Sequence, residues 1–150
     1  MKLETEIKQD TFKSEYHKML INIMYTSSWI HSKISTRLKM YSITPQQYNI
    51  LRILRGQYPK PARVHLLEQR MLDRMSNASR LVERLRQKKL IERTICEKDR
   101  RAVDVIITEK GLNMLNILDE TEKHWIKEFE SIDQDEAKKL NSILDTLRGH

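Results

Sequence analysis

Twelve lysines and arginines fall between Arg63 and Arg101 against six acidic residues, whereas the rest of the chain holds sixteen against fifteen. Nearly all of the net charge of +7 therefore lies in one quarter of the sequence. An excess spread evenly does little more than keep a protein in solution. One so concentrated makes a surface that attracts a polyanion. A solvated basic helix face is the plainer alternative. The polyanion reading is preferred because a basic helix and a basic hairpin follow each other directly.

Other residue types that do chemistry are not grouped. The five histidines, His17, His31, His65, His124 and His150, include no pair spaced three or four apart, the spacing that sets two imidazoles on one helix face for zinc. The one cysteine, Cys96, lies on an expected strand, and no serine sits in a sharp glycine-flanked turn. No nucleophile, base and orienting group follow from the spacing, so neither catalysis nor a cofactor is expected. With one thiol there is no disulfide within the chain. Cys96 reads as a half-buried structural thiol.

The elements that must carry the charge are legible. Residues 62–71 read as a short helix with Val64, Leu66, Leu67 and Met71 inward. Asp73 can cap the next helix, with Ser76 as the alternative start. That helix would bury Met75, Ala78, Leu81, Val82 and Leu85 and present Ser76, Asn77, Arg80, Arg84 and Gln87 outward. Two short helices at so tight a turn make a helix-turn-helix pattern. Residues 90–97 and 102–108 are rich in β-branched side chains, and Val103, Val105 and Ile107 alternate with Asp104 and Ile106. The tip between them, Lys98-Asp99-Arg100-Arg101, makes a charged hairpin, or wing. One element can enter a major groove while the other reaches the backbone or the minor groove.

Longer helices flank this lobe. From Tyr16 to Tyr41 apolar side chains recur mostly at steps of three and four, a stripe longer than so small a core can cover. Thr44-Pro45-Gln46-Gln47 is a helix start with a capping box, Tyr48, Ile50, Leu51, Ile53 and Leu54 form its apolar face, and Gly56 is read as its end. Residues 58–61, Tyr58-Pro59-Lys60-Pro61, are extended or turn-like. Thr108 can cap a helix carrying Leu112, Leu115, Leu118, Trp125, Ile126 and Phe129. Asp133-Gln134-Asp135-Glu136 opens a last one with Leu140, Ile143, Leu144 and Leu147. The stripes at both ends need a partner. The expected fold is mainly α with a small β-hairpin wing. A winged helix-turn-helix lobe spans about residues 44–108, with dimerisation helices over about 10–41 and 109–148, all in one protomer of 150 residues. No apolar run is long enough to span a bilayer and the N-terminus lacks a secretory signal, so a cytoplasmic protein is expected.

This order of elements resembles the MarR (multiple antibiotic resistance regulator) family of bacterial transcription factors. The closest piece is Asp99-Arg100-Arg101 with Val105, Thr108 and Gly111 behind it, similar to the family's wing pattern D-x-R, apolar strand, T-x-x-G. A second is Ser79-Arg80-Leu81-Val82 with Leu85, Leu90, Ile91 and Arg93, similar to the recognition helix and the strand after it. Lys89 departs from the pattern, since the family usually has glycine there to close the helix in a left-handed conformation. The resemblance implies a homodimer with interdigitated terminal helices, two lobes facing a pseudo-palindromic operator in double-stranded DNA, and repression relieved by a small aromatic effector. In the family that effector binds between the dimerisation helices and the lobe. Met24, Tyr25, Trp29, His31 and Tyr48 could line such a pocket, although aromatic and Met side chains at helical spacing are usually core or interface. Peroxide-sensing members carry a reactive cysteine near the start of their first long helix, which this chain lacks.

The DNA-binding candidates are Arg74, Ser76, Asn77, Ser79, Arg80, Arg84, Lys98, Arg100 and Arg101. Arg80 and Arg84 lie one turn apart and suit phosphate or guanine, with surface pairing to Glu83 as the competing role. Ser76 and Asn77 could bond phosphate or base edges, or simply cap the helix. Arg101 suits the minor groove or a phosphate, and Arg100 and Lys98 the backbone. By the resemblance, Asp99 would brace the wing by pairing with an arginine; otherwise it is a turn residue. A winged helix can also be a protein-interaction module, but the outward positions of this helix are Ser, Asn and Arg, not apolar.

Overall fold

The computed structural model describes residues 2–95 and 103–149. Expectations for Cys96, Lys98, Asp99, Arg100 and Arg101 fall outside the described residues. Seven helices and three strands follow in the order α1 (Leu3–Ile7), α2 (Glu15–Lys39), α3 (Pro45–Gln57), β1 (Ala62–Arg63), α4 (Val64–Arg70), α5 (Ala78–Gln87), β2 (Ile91–Ile95), β3 (Val103–Ile107), α6 (Glu109–Ile126) and α7 (Gln134–Leu147) among the described residues. A 3-10 turn, Lys127–Phe129, extends α6. None of these helices is long and apolar enough to cross a membrane.

Local capping chemistry starts the helices where the sequence places it. The Thr44 hydroxyl accepts from the Gln47 N–H while the Gln47 side chain accepts from the Thr44 N–H, both at 3.2 Å. This capping box satisfies two donors that the first turn of α3 would otherwise orphan. Thr108 accepts from the Gly111 N–H at 3.2 Å and opens α6. Asp133 and Glu136 close a second capping box on α7. Gly56 does not end α3, which continues through Gln57 before Tyr58 leaves the helical region.

The core lies in the lobe. Ile50, Leu51 and Leu54 of α3, Leu67 of α4, Val82 and Leu85 of α5, Leu90, Ile91, Val105 and Leu115 are all buried. The sheet is antiparallel in the order β1-β3-β2. Ala62 pairs with Val105 and Ile91 with Ile107, so these inward side chains close over the helices. Residues 62 and 63 thus form an edge strand and not, as periodicity predicts, the first turn of a helix.

Helix α5 also starts later than its first cap candidate. Its N-cap is Asn77, whose side chain accepts from the Arg80 N–H at 2.9 Å. Asp73 instead caps an isolated turn, accepting from the Met75 N–H at 3.1 Å and the Ser76 hydroxyl at 2.7 Å. Met75 therefore lies outside the helix and is 95% exposed, not buried as the apolar pattern predicts.

Lys89 takes the left-handed conformation that a glycine would adopt freely, at φ 60°. Its N–H reaches the Arg86 carbonyl at 2.8 Å and the Leu90 N–H reaches the Leu85 carbonyl at 3.1 Å, which closes α5. A residue with a Cβ is disfavoured there by roughly 1–2 kcal/mol, partly offset by the greater freedom of glycine in the unfolded chain. Lys89→Gly is expected to raise stability by about 0.5–1 kcal/mol, seen as a higher denaturation midpoint at unchanged slope.

The ends of the chain contrast with the lobe. In the 25-residue α2 only Leu38 is buried, and Tyr16, Leu20 and Met24 are exposed. Helix α7 buries no residue, leaving Leu140, Ile143 and Leu147 about half exposed. A short helix that the polar N-terminus did not signal, α1, folds back on α2: Leu3 is buried, the Tyr25 hydroxyl donates to Glu6 at 2.6 Å, and Lys18 pairs with Glu4.

Candidate nucleic-acid interface

Helix α5 is amphipathic: Ala78, Val82 and Leu85 face the core and Ser79, Arg80 and Arg84 face solvent. Arg80 and Arg84 are four apart and share one side of the helix. Neither makes an ion pair among the described residues. The competing partner, Glu83, is otherwise engaged. It accepts from Arg86 at 2.9 Å and pairs with Arg93 of β2 at 3.1 Å. The Arg86 hydrogen bonds hold the Glu83 carboxyl below its ordinary range against the opposing effect of burial, with smaller help from the nearby Arg86 and Arg93 charges. The structure thus sorts the arginines. Arg93 ties the helix to the sheet through Glu83 and Arg86 holds the same carboxylate from within the helix, while Arg80 and Arg84 project.

The segment leading into the helix is equally ordered by its bonds. The Ser76 hydroxyl and the Met75 N–H lower the Asp73 carboxyl from its usual range. The Leu72 N–H donates to Asn49 of α3 at 2.9 Å. Ser76 spends its hydroxyl on Asp73, and Asn77 spends its carbonyl oxygen on the cap. Both capping roles are filled, and Arg74 and Asn77 are exposed. Of the nine DNA-binding candidates, Arg74, Ser76, Asn77, Ser79, Arg80 and Arg84 cluster at this end and face of α5. The remaining three, Lys98, Arg100 and Arg101, lie outside the described residues.

Sequence reasoning did not single out the fastening at the other end. The Lys88 ammonium donates to the Ser42 carbonyl and, at 3.2 Å, to Gln47, a side chain only 2% exposed. Lys110 donates to the Lys88 carbonyl at 3.0 Å. These bonds join the end of α5 to the α2–α3 turn and to α6. Nothing in the spacing of lone surface lysines signals them.

A cavity of about 530 Å³ lies between α2, α3 and α6. Arg37, Tyr48, Arg52, Arg70, Glu122 and Trp125 are among its walls. Arg52 donates to Glu122 at 2.9 Å and to the Tyr48 hydroxyl at 3.0 Å, and the Arg37 guanidinium sits 5.3 Å from the Trp125 ring. Burial first of all pushes the Tyr48 phenol above its ordinary range. The Trp125 indole N–H is buried with no acceptor among the described residues. Of the five side chains suggested for such a pocket only Tyr48 lines it. Tyr25 bonds to Glu6, Trp29 packs edge-on against Phe129 at 6.0 Å, and Met24 and His31 face solvent. No cluster of three or more metal-ligating side chains occurs among the described residues.

No curated protein matches the chain significantly in sequence. A family model described as the MarR family matches residues 41–102, the winged lobe from the α2–α3 turn into the hairpin. Solved structures match over nearly the whole chain. A MarR-like transcription regulator from Bacillus cereus is 18% identical with a TM-score of 0.79, over 91% of this chain and 97% of that one. Sco3205 from Streptomyces coelicolor, solved in complex with DNA, is 16% identical with a TM-score of 0.80, over 93% and 90%. The organohalide-sensing regulator RdhR-CbdbA1625, in its 2,4-dichlorophenol-bound form, is 22% identical with a TM-score of 0.79, over 95% and 86%. At these identities the likeness is one of fold. The chain is thus similar in sequence to the MarR family across its lobe, residues 41–102, and shares the fold of solved MarR-family regulators over nearly its whole length.

Proposed function

We propose that the protein is a sequence-specific DNA-binding transcriptional regulator, a repressor that acts as a homodimer on a pseudo-palindromic operator. The observation that carries this reading is the pair Arg80 and Arg84, exposed one turn apart without a carboxylate partner among the described residues. Beside them is the capped start of the same helix. Such a face suits phosphates and guanine edges. The basic wing tip would add backbone and minor-groove contacts. The half-exposed apolar stripes of α2 and α7 support a second copy as the partner of the terminal helices over about 10–41 and 109–148. In such a dimer the two recognition helices would sit about one helical turn of DNA apart, ~34–36 Å.

The cavity supports an effector. Its aromatic and cationic walls suit a small aromatic ligand, and they belong both to the long helices and to the lobe. A ligand there would alter the relation of arm and lobe only by binding one arrangement better than the other. A solved relative of the same fold holds a chlorinated phenol.

A gel-shift assay on random and genomic duplexes, with mass measured in solution, tests the proposal. Retarded duplex and a dimeric mass are expected; a monomer that ignores DNA at low salt overturns it. The wing makes a separate prediction. Arg100→Ala should weaken binding to all sequences alike and flatten the plot of log affinity against log salt by about one per protomer. An unchanged slope in a salt titration removes Arg100 from the phosphate contacts.

A further inference from the structure

Met75 is 95% exposed, and single exposed apolar side chains are common on any surface. What sets this one apart is the rigidity beneath it. Asp73 accepts from the Met75 N–H at 3.1 Å and the Ser76 hydroxyl at 2.7 Å, and its carbonyl from the Ser76 N–H at 3.3 Å. Asn49 holds the Leu72 N–H at 2.9 Å, and Asn77 caps α5 two residues further on. The backbone on both sides is pinned while the thioether stands in solvent.

Its position is equally specific. Met75 lies between Arg74 and Ser76-Asn77, at the leading end of α5. The leading end of a recognition helix is the part that meets base edges in the major groove. There thymine differs from every other base by its 5-methyl group, which is read by apolar contact and not by hydrogen bonding. A flexible, polarizable thioether adapts well to such a methyl. A protein partner fits the surroundings less well. It would need a contiguous apolar patch, whereas the flanks of Met75 are cationic and polar. The nearest exposed apolar residue in sequence, Leu72, belongs to the cavity wall.

We propose that Met75 is a sequence-reading residue whose side chain packs on the 5-methyl group of a thymine in each half-site. The inference rests on the DNA-binding reading given above. The test begins with a duplex enriched from a random pool by the wild-type protein. Each thymine is then replaced in turn by deoxyuridine, which removes only the methyl. Wild type should lose roughly fourfold in affinity at one thymine per half-site, the factor that burying one methyl supplies. Met75→Gln, of similar length but polar, should bind the thymine and uracil duplexes equally. Met75→Leu should keep most of the preference. If wild type shows no preference at any thymine, or Met75→Gln keeps the same one, the reading role is overturned while DNA binding stands. If wild type enriches no sequence from the pool, the DNA-binding proposal falls and this one with it.

Discussion

Arg80→Ala should abolish most operator binding and leave the fold intact. The arginine has two separable attachments. Its backbone N–H receives the Asn77 cap at 2.9 Å, and alanine keeps that bond. Its guanidinium is exposed and pairs with no carboxylate among the described residues. Truncation therefore removes no side-chain hydrogen bond or ion pair among the described residues, and alanine is a slightly better helix former than arginine. Unfolding free energy should shift by no more than about 0.5 kcal/mol. An arginine bonded to a base edge or buried against phosphate is worth about 1–3 kcal/mol. In a symmetric dimer the loss occurs at both half-sites, so affinity should fall roughly 30-fold or more. Titration of a labelled operator, beside a thermal melt of the same variant, measures both. Equal losses in the two would make Arg80 a structural residue and remove the central support of the DNA reading.

What could be read from the sequence was decided within a few residues. The capping boxes at Thr44–Gln47 and Asp133–Glu136 and the Thr108 cap depend on side chains three positions apart, and all three form as written. The core of α3 and the β-branched hairpin follow from local periodicity in the same way. Where two local solutions compete, a distant contact decides. Asp73 and Asn77 are both good caps, and the Asn49–Leu72 bond from α3 helps hold the segment before α5 as a turn. That puts Met75 in solvent. Likewise, residues 62 and 63 carry helix-compatible side chains but pair with β3, forty residues further on. The pocket residues could not be assigned because a long amphipathic helix does not declare which stretch of its stripe meets the lobe. In α2 that stretch is near Ile34, Arg37 and Leu38, not Met24 to His31. The separation of Arg80 and Arg84 from Arg86 and Arg93 needed the position of Glu83 relative to β2.

Two glycine-to-alanine substitutions should have opposite effects, and the second tests how the wing is fixed to the recognition helix. Both glycines lie in helices, where alanine is favoured by about 1 kcal/mol. At Gly56, in α3, a new Cβ meets nothing within 4 Å, so Gly56→Ala should gain close to that amount. At Gly111, in the first turn of α6, it would stand 2.4 Å from the Leu90 carbonyl oxygen and 2.7 Å from Ile107 Cγ1. Neither neighbour can yield cheaply. The Leu90 carbonyl accepts the Thr108 N–H at 3.1 Å, and Leu90 and Ile107 are both buried. Leu90 is also the joint between α5 and β2. To admit the methyl, α6 must lift from that joint, weakening the bond that sets the sheet against the recognition helix. Forcing a methyl into so tight a contact costs about 1–3 kcal/mol beyond the helix gain. Gly111→Ala should therefore lower the melting temperature by several degrees, at about 2–4 °C per kcal/mol for a chain of this size. It should also weaken operator binding, because helix and wing no longer meet the duplex in register. A Gly111→Ala protein as stable as Gly56→Ala would mean that the α5–β2 joint gives way freely, and that the geometry of the wing is set elsewhere.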